Sequence, residues 1–244
     1  QTPFILNEVM ISSEGNISGV MIKGIDPKTV GSVTDLPKYM LPGGSLENLD
    51  HPEKVVRHRI GTDTGAVFDD EPADGLAREP PEKKAEPEKD PADLIVKPSD
   101  DDPKDVVLPG IVLGQELSRQ MRVRVGDRIN VVSPLGGELG PQGPMPKNRA
   151  FRVAGIFYSG MYEYDSKFVY IQLKEAESFF GMKGATGIEL KVDDIDDARR
   201  IARTVYDRLE GYPYRTKDWG EMNRNLFAAL RLEKLVLAVI LSIT

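Results

Sequence analysis

Between residues 69 and 105 the chain carries fourteen acidic and six basic residues, with proline and alanine supplying most of the rest. A segment this polar buries too little apolar surface to offset the entropy of ordering it. It is expected to be a disordered, solvated insertion, and it divides the 244-residue chain into two ordered stretches. That division changes how the charge is read. The whole chain stands at −7, and the insertion alone at about −8, so the folding part is close to neutral. No basic stripe with interleaved aromatics is present, which argues against nucleic acid as a ligand. Cysteine is absent, which removes disulfides, thiol catalysis and thiolate metal sites together.

The ordered stretches read as short strands and helices. Residues 4–11 and 18–25 are apolar runs around Ser12-Ser13-Glu14-Gly15-Asn16, a hairpin signal because Gly15 and Asn16 tolerate positive φ. Pro27 cannot donate to a ladder and closes the second strand. From 28 to 65, Pro37, Pro42 and Pro52 break any long element. Order resumes at Val106 with a strand, and Leu113, Leu117 and Met121 then recur at helical spacing. Gly126-Asp127 turns the chain into a strand at 128–133. Further strands are expected at 150–157 and 167–173, a short helix at 174–180 ended by Gly181, and an alternating, half-buried strand at 187–192.

The clearest helical pattern puts Ile195, Ala198, Ile201, Ala202, Val205, Tyr206 and Leu209 on one face, expected to pack on a core. Asp193 or Asp194 is the expected cap. A last helix starts near Asp218 or Glu221. Its end, residues 235–244, is apolar, whereas a spanning helix needs about twenty residues. Two readings follow: a buried C-terminal helix, or a membrane helix continuing past Thr244. Arg231 and Lys234 suit an anchor at a membrane surface. The chain opens at Gln1 directly in strand-like sequence, so it reads as a fragment cut at both ends.

Together these elements predict an α+β chain. Its parts are an N-terminal piece (1–68), the acidic insertion (69–105), a β-rich unit (106–173), an α/β unit (174–222) and the closing helix (223–244).

Catalytic signatures are missing. There is no Walker nucleotide loop and no Gly-x-Ser-x-Gly elbow. Ser159 lacks a positioned base. His51 and His58 sit in a proline-broken region without converging ligands, and read as loop histidines. Asp193-Asp194 and Asp196-Asp197 suit a helix start better than a substrate. Neither a metal nor a cofactor is implied.

One loop stands out. Pro134-Leu135-Gly136-Gly137-Glu138-Leu139-Gly140-Pro141-Gln142-Gly143-Pro144-Met145-Pro146 joins two strands, yet far exceeds the usual two to five residues. Proline fixes φ and removes donors, so the loop should stand out and resist collapse onto its own sheet. Leu135, Leu139 and Met145 give it apolar contacts to offer. On composition alone it reads as a plain surface loop.

Several runs, in order, resemble the permease subunits of lipoprotein-releasing (Lol) ABC transporters within the MacB-like permease group. They are Val20-Met21-Ile22-Lys23-Gly24-Ile25-Asp26-Pro27, Gly110-Ile111-Val112-Leu113-Gly114-Gln115-Glu116-Leu117, Val125-Gly126-Asp127 and Phe151-Arg152-Val153-Ala154-Gly155-Ile156-Phe157. Ser159-Gly160-Met161-Tyr162-Glu163-Tyr164-Asp165 follows, then residues 223–234 ahead of the apolar tail. The resemblance implies a MacB-like periplasmic domain between two membrane helices, with β-rich (Sabre-like) and α/β (Porter-like) subdomains, at the bacterial inner membrane.

The resemblance also assigns the long loop, residues 134–147, as a projecting Hook that captures a LolA-like periplasmic chaperone. Pro141-Gln142-Gly143-Pro144-Met145-Pro146 is similar to its Pro-x-Gly-x-x-Pro tip, and Leu135 and Leu139 lie on its first limb. A flanking Pad matches Asn130, Asn148 and Arg149, with Asn130 standing where the family has an arginine. Implied partners are a LolD-like ATPase subunit, a second permease subunit or homodimer, the lipoprotein substrate and the membrane. Three alternatives stand beside this reading. They are a LolE-like subunit that contacts lipoprotein, a MacB-like efflux permease docking on a periplasmic adaptor, and a soluble β-rich enzyme.

Overall fold

The computed structural model describes residues 1–13, 15–55, 107–134, 139–140, 143–144 and 146–243. The acidic insertion, His58, and Leu135, Pro141, Gln142 and Met145 of the long loop lie outside the described residues.

β1 (Thr2–Ser13) and β2 (Asn16–Ile25) form the hairpin the sequence signals, paired from Ser13↔Asn16 to Phe4↔Ile25. Gly15 sits at φ +90°, where an L side chain is strained and glycine is not. After Ile25 the chain makes four 3-10 turns, at Val30–Ser32, Leu36–Tyr39, Leu46–Leu49 and Pro52–Lys54. β3 (Gly110–Gly114) and α1 (Gln115–Met121) are the next described elements. β4 (Arg128–Ser133), the short β5 (Leu139–Gly140) and β6 (Gly143–Pro144), and β7 (Lys147–Phe157) follow. α2 (Tyr162–Lys167), β8 (Phe168–Gln172), α3 (Leu173–Phe180) and β9 (Gly187–Glu189) come next. α4 (Ala198–Arg208), α5 (Trp219–Met222) and α6 (Arg224–Ile243) complete the chain.

The main sheet runs β2-β8-β3-β7-β4-β1-β9, and β1 also pairs with β2. Six strands therefore close into a ring, with β9 attached at the outer end of β1. The β1–β2 hairpin, before the insertion, belongs to the same closed sheet as the strands after it. Closure leaves no long open edge to aggregate.

Alternation along the strands fills two cores. Ile111 and Leu113 point inward with Ile5, Ile11, Ile22, Ile129, Val131, Phe151 and Val169, all buried. Val112, between them, faces the opposite side and packs with Val30, Leu36, Leu46, Leu49 and Phe157 under the 3-10 turns. β3 is thus buried on both faces, as expected of an apolar strand that runs parallel to its neighbour β7. Close packing also explains Gly24. A methyl there would stand less than 3.0 Å from the Ala176 methyl of α3.

Several expectations hold and several do not. Gly181 ends α3 at φ +65°, its N–H bonding the Glu177 carbonyl. The fold mixes strands and helices as an α+β chain. The strand read at 187–192 shortens to β9, because only its first three residues find β1. The α4 stripe is not a core face: no α4 residue is buried, Ile195 is 65% exposed and Leu209 43%. Periodicity records amphipathicity but not whether a partner surface exists. The α4 N-cap is Asp197; Asp194 instead accepts from the Asp196 N–H. Tyr162 is exposed while Tyr164 stacks on Phe168 at 5.0 Å, so that motif splits between surface and core. Asp218 caps α5 by accepting from the Glu221 N–H at 2.8 Å. α6 is not a buried helix, since Leu235, Leu237, Ile240 and Leu241 are all exposed. Among the described residues no helix is long and apolar enough to cross a membrane.

Candidate partner-binding site

β4 and β7 are antiparallel and pair from Arg128↔Arg152 to Ser133↔Lys147. The long loop therefore leaves and re-enters the barrel at adjacent points. Within it, Leu139↔Pro144 and Gly140↔Gly143 pair as a two-stranded sheet separate from the barrel. Pro141-Gln142 falls between the limbs. Pro144 has no N–H to give, which limits the ladder, and the two glycines carry no side chain to obstruct it. A ribbon this short has little stability of its own. Its root must hold it.

Two cations on the outgoing limb tie that root to α3. Lys147 Nζ donates to the Ser178 carbonyl at 3.1 Å and lies 5.7 Å from the Phe179 ring centroid. Arg149 pairs with Glu175 at 2.8 Å, its guanidinium 5.8 Å from the Phe151 ring centroid. Phe151 and Phe179 meet edge to face at 6.1 Å, and both are fully buried. Such an ion pair contributes less than about 1 kcal/mol and a cation over a ring about 0.5–1 kcal/mol. The ties orient the limb; the aromatic core beneath supplies the rigidity.

Beside the root a cleft of about 330 Å³ opens between β1, β2, β4 and α3, lined by Val9, Met10, Gly19, Ser133, Pro134 and Phe180 among others. Met10 is 42% exposed in it. The hairpin base thus stands over an apolar floor.

The expected site residues fall into groups. The backbones of Leu139, Gly143 and Pro144 form the hairpin, while Pro146 and Asn148 are exposed. Leu135, Pro141, Gln142 and Met145 lie outside the described residues. Asn130 is only 9% exposed, set between Ser12 of β1 and Ala150 of β7, so it offers a partner little. Arg149 is already engaged by Glu175. Of the three polar positions expected to flank the loop, Asn148 alone is freely presented. Sequence reading missed Lys147, Glu175, Phe180 and Met10. They come from elements distant in the chain, and no local pattern marks them as neighbours.

Among the described residues no group of three or more His, Cys, Asp or Glu side chains could hold a metal ion. His51 is a surface residue 3.1 Å from Glu53 Oε1.

No family model matches the chain. Among curated proteins it is 36% identical over 133 residues to the lipoprotein-releasing system transmembrane protein LolC of Xylella fastidiosa strain 9a5c, covering 54% of this chain and 32% of that protein. It is 24% identical over 242 residues to LolC of Neisseria meningitidis serogroup B, covering 99% of this chain and 45% of that protein. The chain therefore spans less than half the length of these relatives. Among solved structures it matches the extracellular domain of the noncanonic ABC-type transporter YknZ from Gram-positive bacteria, with TM-score 0.38 and 11% identity over 89% of this chain and 76% of that one. It also matches the periplasmic region of MacB from Actinobacillus actinomycetemcomitans, with TM-score 0.41 and 9% identity over 92% and 74%. By sequence, then, this chain is similar to lipoprotein-releasing system transmembrane proteins named LolC, over 54% of its length in one relative and 99% in another.

Proposed function

We propose that this chain is the periplasmic domain of an inner-membrane permease subunit that releases lipoproteins, and that its 134–147 loop captures a soluble LolA-like lipoprotein chaperone. The observation that carries the reading is the 139–144 hairpin, a sheet of its own outside the closed barrel. A two-stranded ribbon has unpaired edges, which suits it to add to a partner's sheet or enter a partner's cavity. Pro134, Pro141, Pro144 and Pro146 oppose its collapse and its pairing with another copy. The names of the similar LolC proteins, as parts of lipoprotein-releasing systems, support the cargo class.

The barrel acts as a stiff base. Force on the hairpin passes through Lys147 and Arg149 into α3 and the aromatic core. Because Arg149 pairs with Glu175, capture rests on main-chain and apolar contacts, and charge attraction contributes little. ATP hydrolysis belongs to a separate LolD-like subunit, and α5–α6 connects the barrel to the membrane segment that transmits its motion. A second permease subunit or a second copy completes the transporter.

The test uses the full-length permease in cells, with a photo-crosslinking residue at Gln142 or Met145. The expected product is an adduct with a soluble periplasmic lipoprotein-binding protein, lost on deleting residues 135–145. Undiminished capture by the deletion would count against the reading. Adducts with lipoprotein alone would assign a LolE-like role, and adducts with a periplasmic adaptor an efflux role.

A further inference from the structure

The connector between α4 and α6 gathers large side chains at the surface. Tyr212 is 93% exposed, and Tyr214, Trp219 and Met222 are each at least half exposed. Gly211, at φ +75°, turns the chain back beneath the Tyr206 ring. Arg199 then meets Asp218 at 3.7 Å, so residues 211–218 run along α4. A cleft of about 210 Å³ lies between them, lined by Arg199, Ala202, Arg203, Tyr206, Thr216 and Glu221 among others. Arg199, Arg203 and Tyr206 succeed one another at helical spacing, next to Ala198, Ile201, Ala202 and Val205, which are half-buried.

Carboxylates gather at the start of α4, where Asp193, Asp194, Asp196 and Asp197 stand and Asp197 pairs with Arg200, while residues 198–224 hold seven cations and four carboxylates. Arg203, Arg208, Arg215 and Lys217 are exposed and form no ion pair with another described residue. The apolar α6 follows directly, with Leu235, Val236, Leu237, Val239 and Ile240 in the open. Tyrosine, tryptophan and cations beside an apolar helix match the headgroup layer of a bilayer, where rings sit at the boundary and guanidinium groups meet phosphate. Tyrosine, tryptophan, methionine and arginine are also enriched at protein interfaces; what favours a bilayer here is the exposed apolar α6 that follows directly.

We propose that residues 199–222 form an interfacial anchor that docks on the anionic headgroups of a phospholipid bilayer. The proposal rests on the membrane-tethered reading above but is independent of chaperone capture. Trp219 is the chain's single tryptophan, so intrinsic fluorescence reports on this surface alone. The experiment titrates the 244-residue chain with vesicles of equal parts phosphatidylcholine and phosphatidylglycerol, and with phosphatidylcholine alone. The expected result is a blue shift of Trp219, with stronger quenching by lipids brominated near the headgroup than near the chain ends. Each cation near an anionic surface is worth roughly fivefold in partitioning. The triple variant Arg203→Gln, Arg215→Gln, Lys217→Gln should then bind phosphatidylglycerol vesicles on the order of a hundredfold less. Its binding to phosphatidylcholine should be unchanged, and circular dichroism should show an unaltered fold. Water-like Trp219 emission on both vesicles overturns the proposal. So does equal partitioning of wild type and variant, which would mean α6 alone makes the attachment. Either failure leaves the crosslinking result at Gln142 untouched.

Discussion

Gly24 offers the sharpest check on how the hairpin root is built. A methyl added there would lie under 3.0 Å from the Ala176 methyl, where ordinary contact is 3.4–4 Å. α3 must therefore retreat by at least ~0.4 Å from the sheet, against attractions that fade within an ångström of the optimum. Overpacking of this kind costs about 1–3 kcal/mol. Gly19, on the same strand, is the control, since nothing lies within 4 Å of its added methyl. Gly24→Ala should lose about 2 kcal/mol, or on the order of 4–8 °C in Tm for a chain this size. Gly19→Ala should be neutral or gain up to about 1 kcal/mol from lost backbone entropy. Adding Ala176→Gly to Gly24→Ala relieves the contact but places a glycine in α3 at about 1 kcal/mol, so only part of the loss returns. Because α3 also holds Lys147 and Arg149, amide exchange at residues 147–150 should quicken in Gly24→Ala. Urea and thermal melts decide the matter: equal melting of Gly24→Ala and Gly19→Ala would refute the account of α3 as a tightly seated brace.

Two further outcomes follow from named contacts. Arg149→Glu sets two carboxylates together at a site where the native partners are 35% and 29% exposed, so it should cost about 1–2 kcal/mol. Arg149→Glu with Glu175→Arg should regain most of that in a double-mutant cycle, and a double variant as unstable as the single would exclude the ion pair as the cause. Burial, with the Glu189 charge next, holds the Tyr170 hydroxyl above its ordinary pKa of 10.0. The folded chain keeps this proton where the unfolded chain releases it, so stability present below pH 10.0 falls as pH rises further, by up to about 1.4 kcal/mol per unit. Tyr170→Phe should flatten that decline between about pH 10 and about pH 11 in urea titrations, and an unchanged slope would contradict it.

Much of the local structure was legible in the sequence because it rests on local chemistry. Gly15 fixed the first hairpin through its positive φ, Gly181 the end of α3, and Asp218 the cap of α5. Loop length and proline content set residues 134–147 apart in the sequence; that residues 139–140 pair with 143–144 in a sheet of their own came only from the structure. Runs shared with lipoprotein-releasing permeases were likewise readable without coordinates. Tertiary structure alone decided the rest. The pairing of β1 with β4 and of β2 with β8, which closes the ring, crosses the acidic insertion, and alternation within a strand does not encode it. The engagement of Arg149 by Glu175, and the burial of Asn130 between two strands, follow from which elements meet. A helical stripe such as that of α4 specifies an apolar face, but whether anything covers it depends on surfaces brought there from elsewhere.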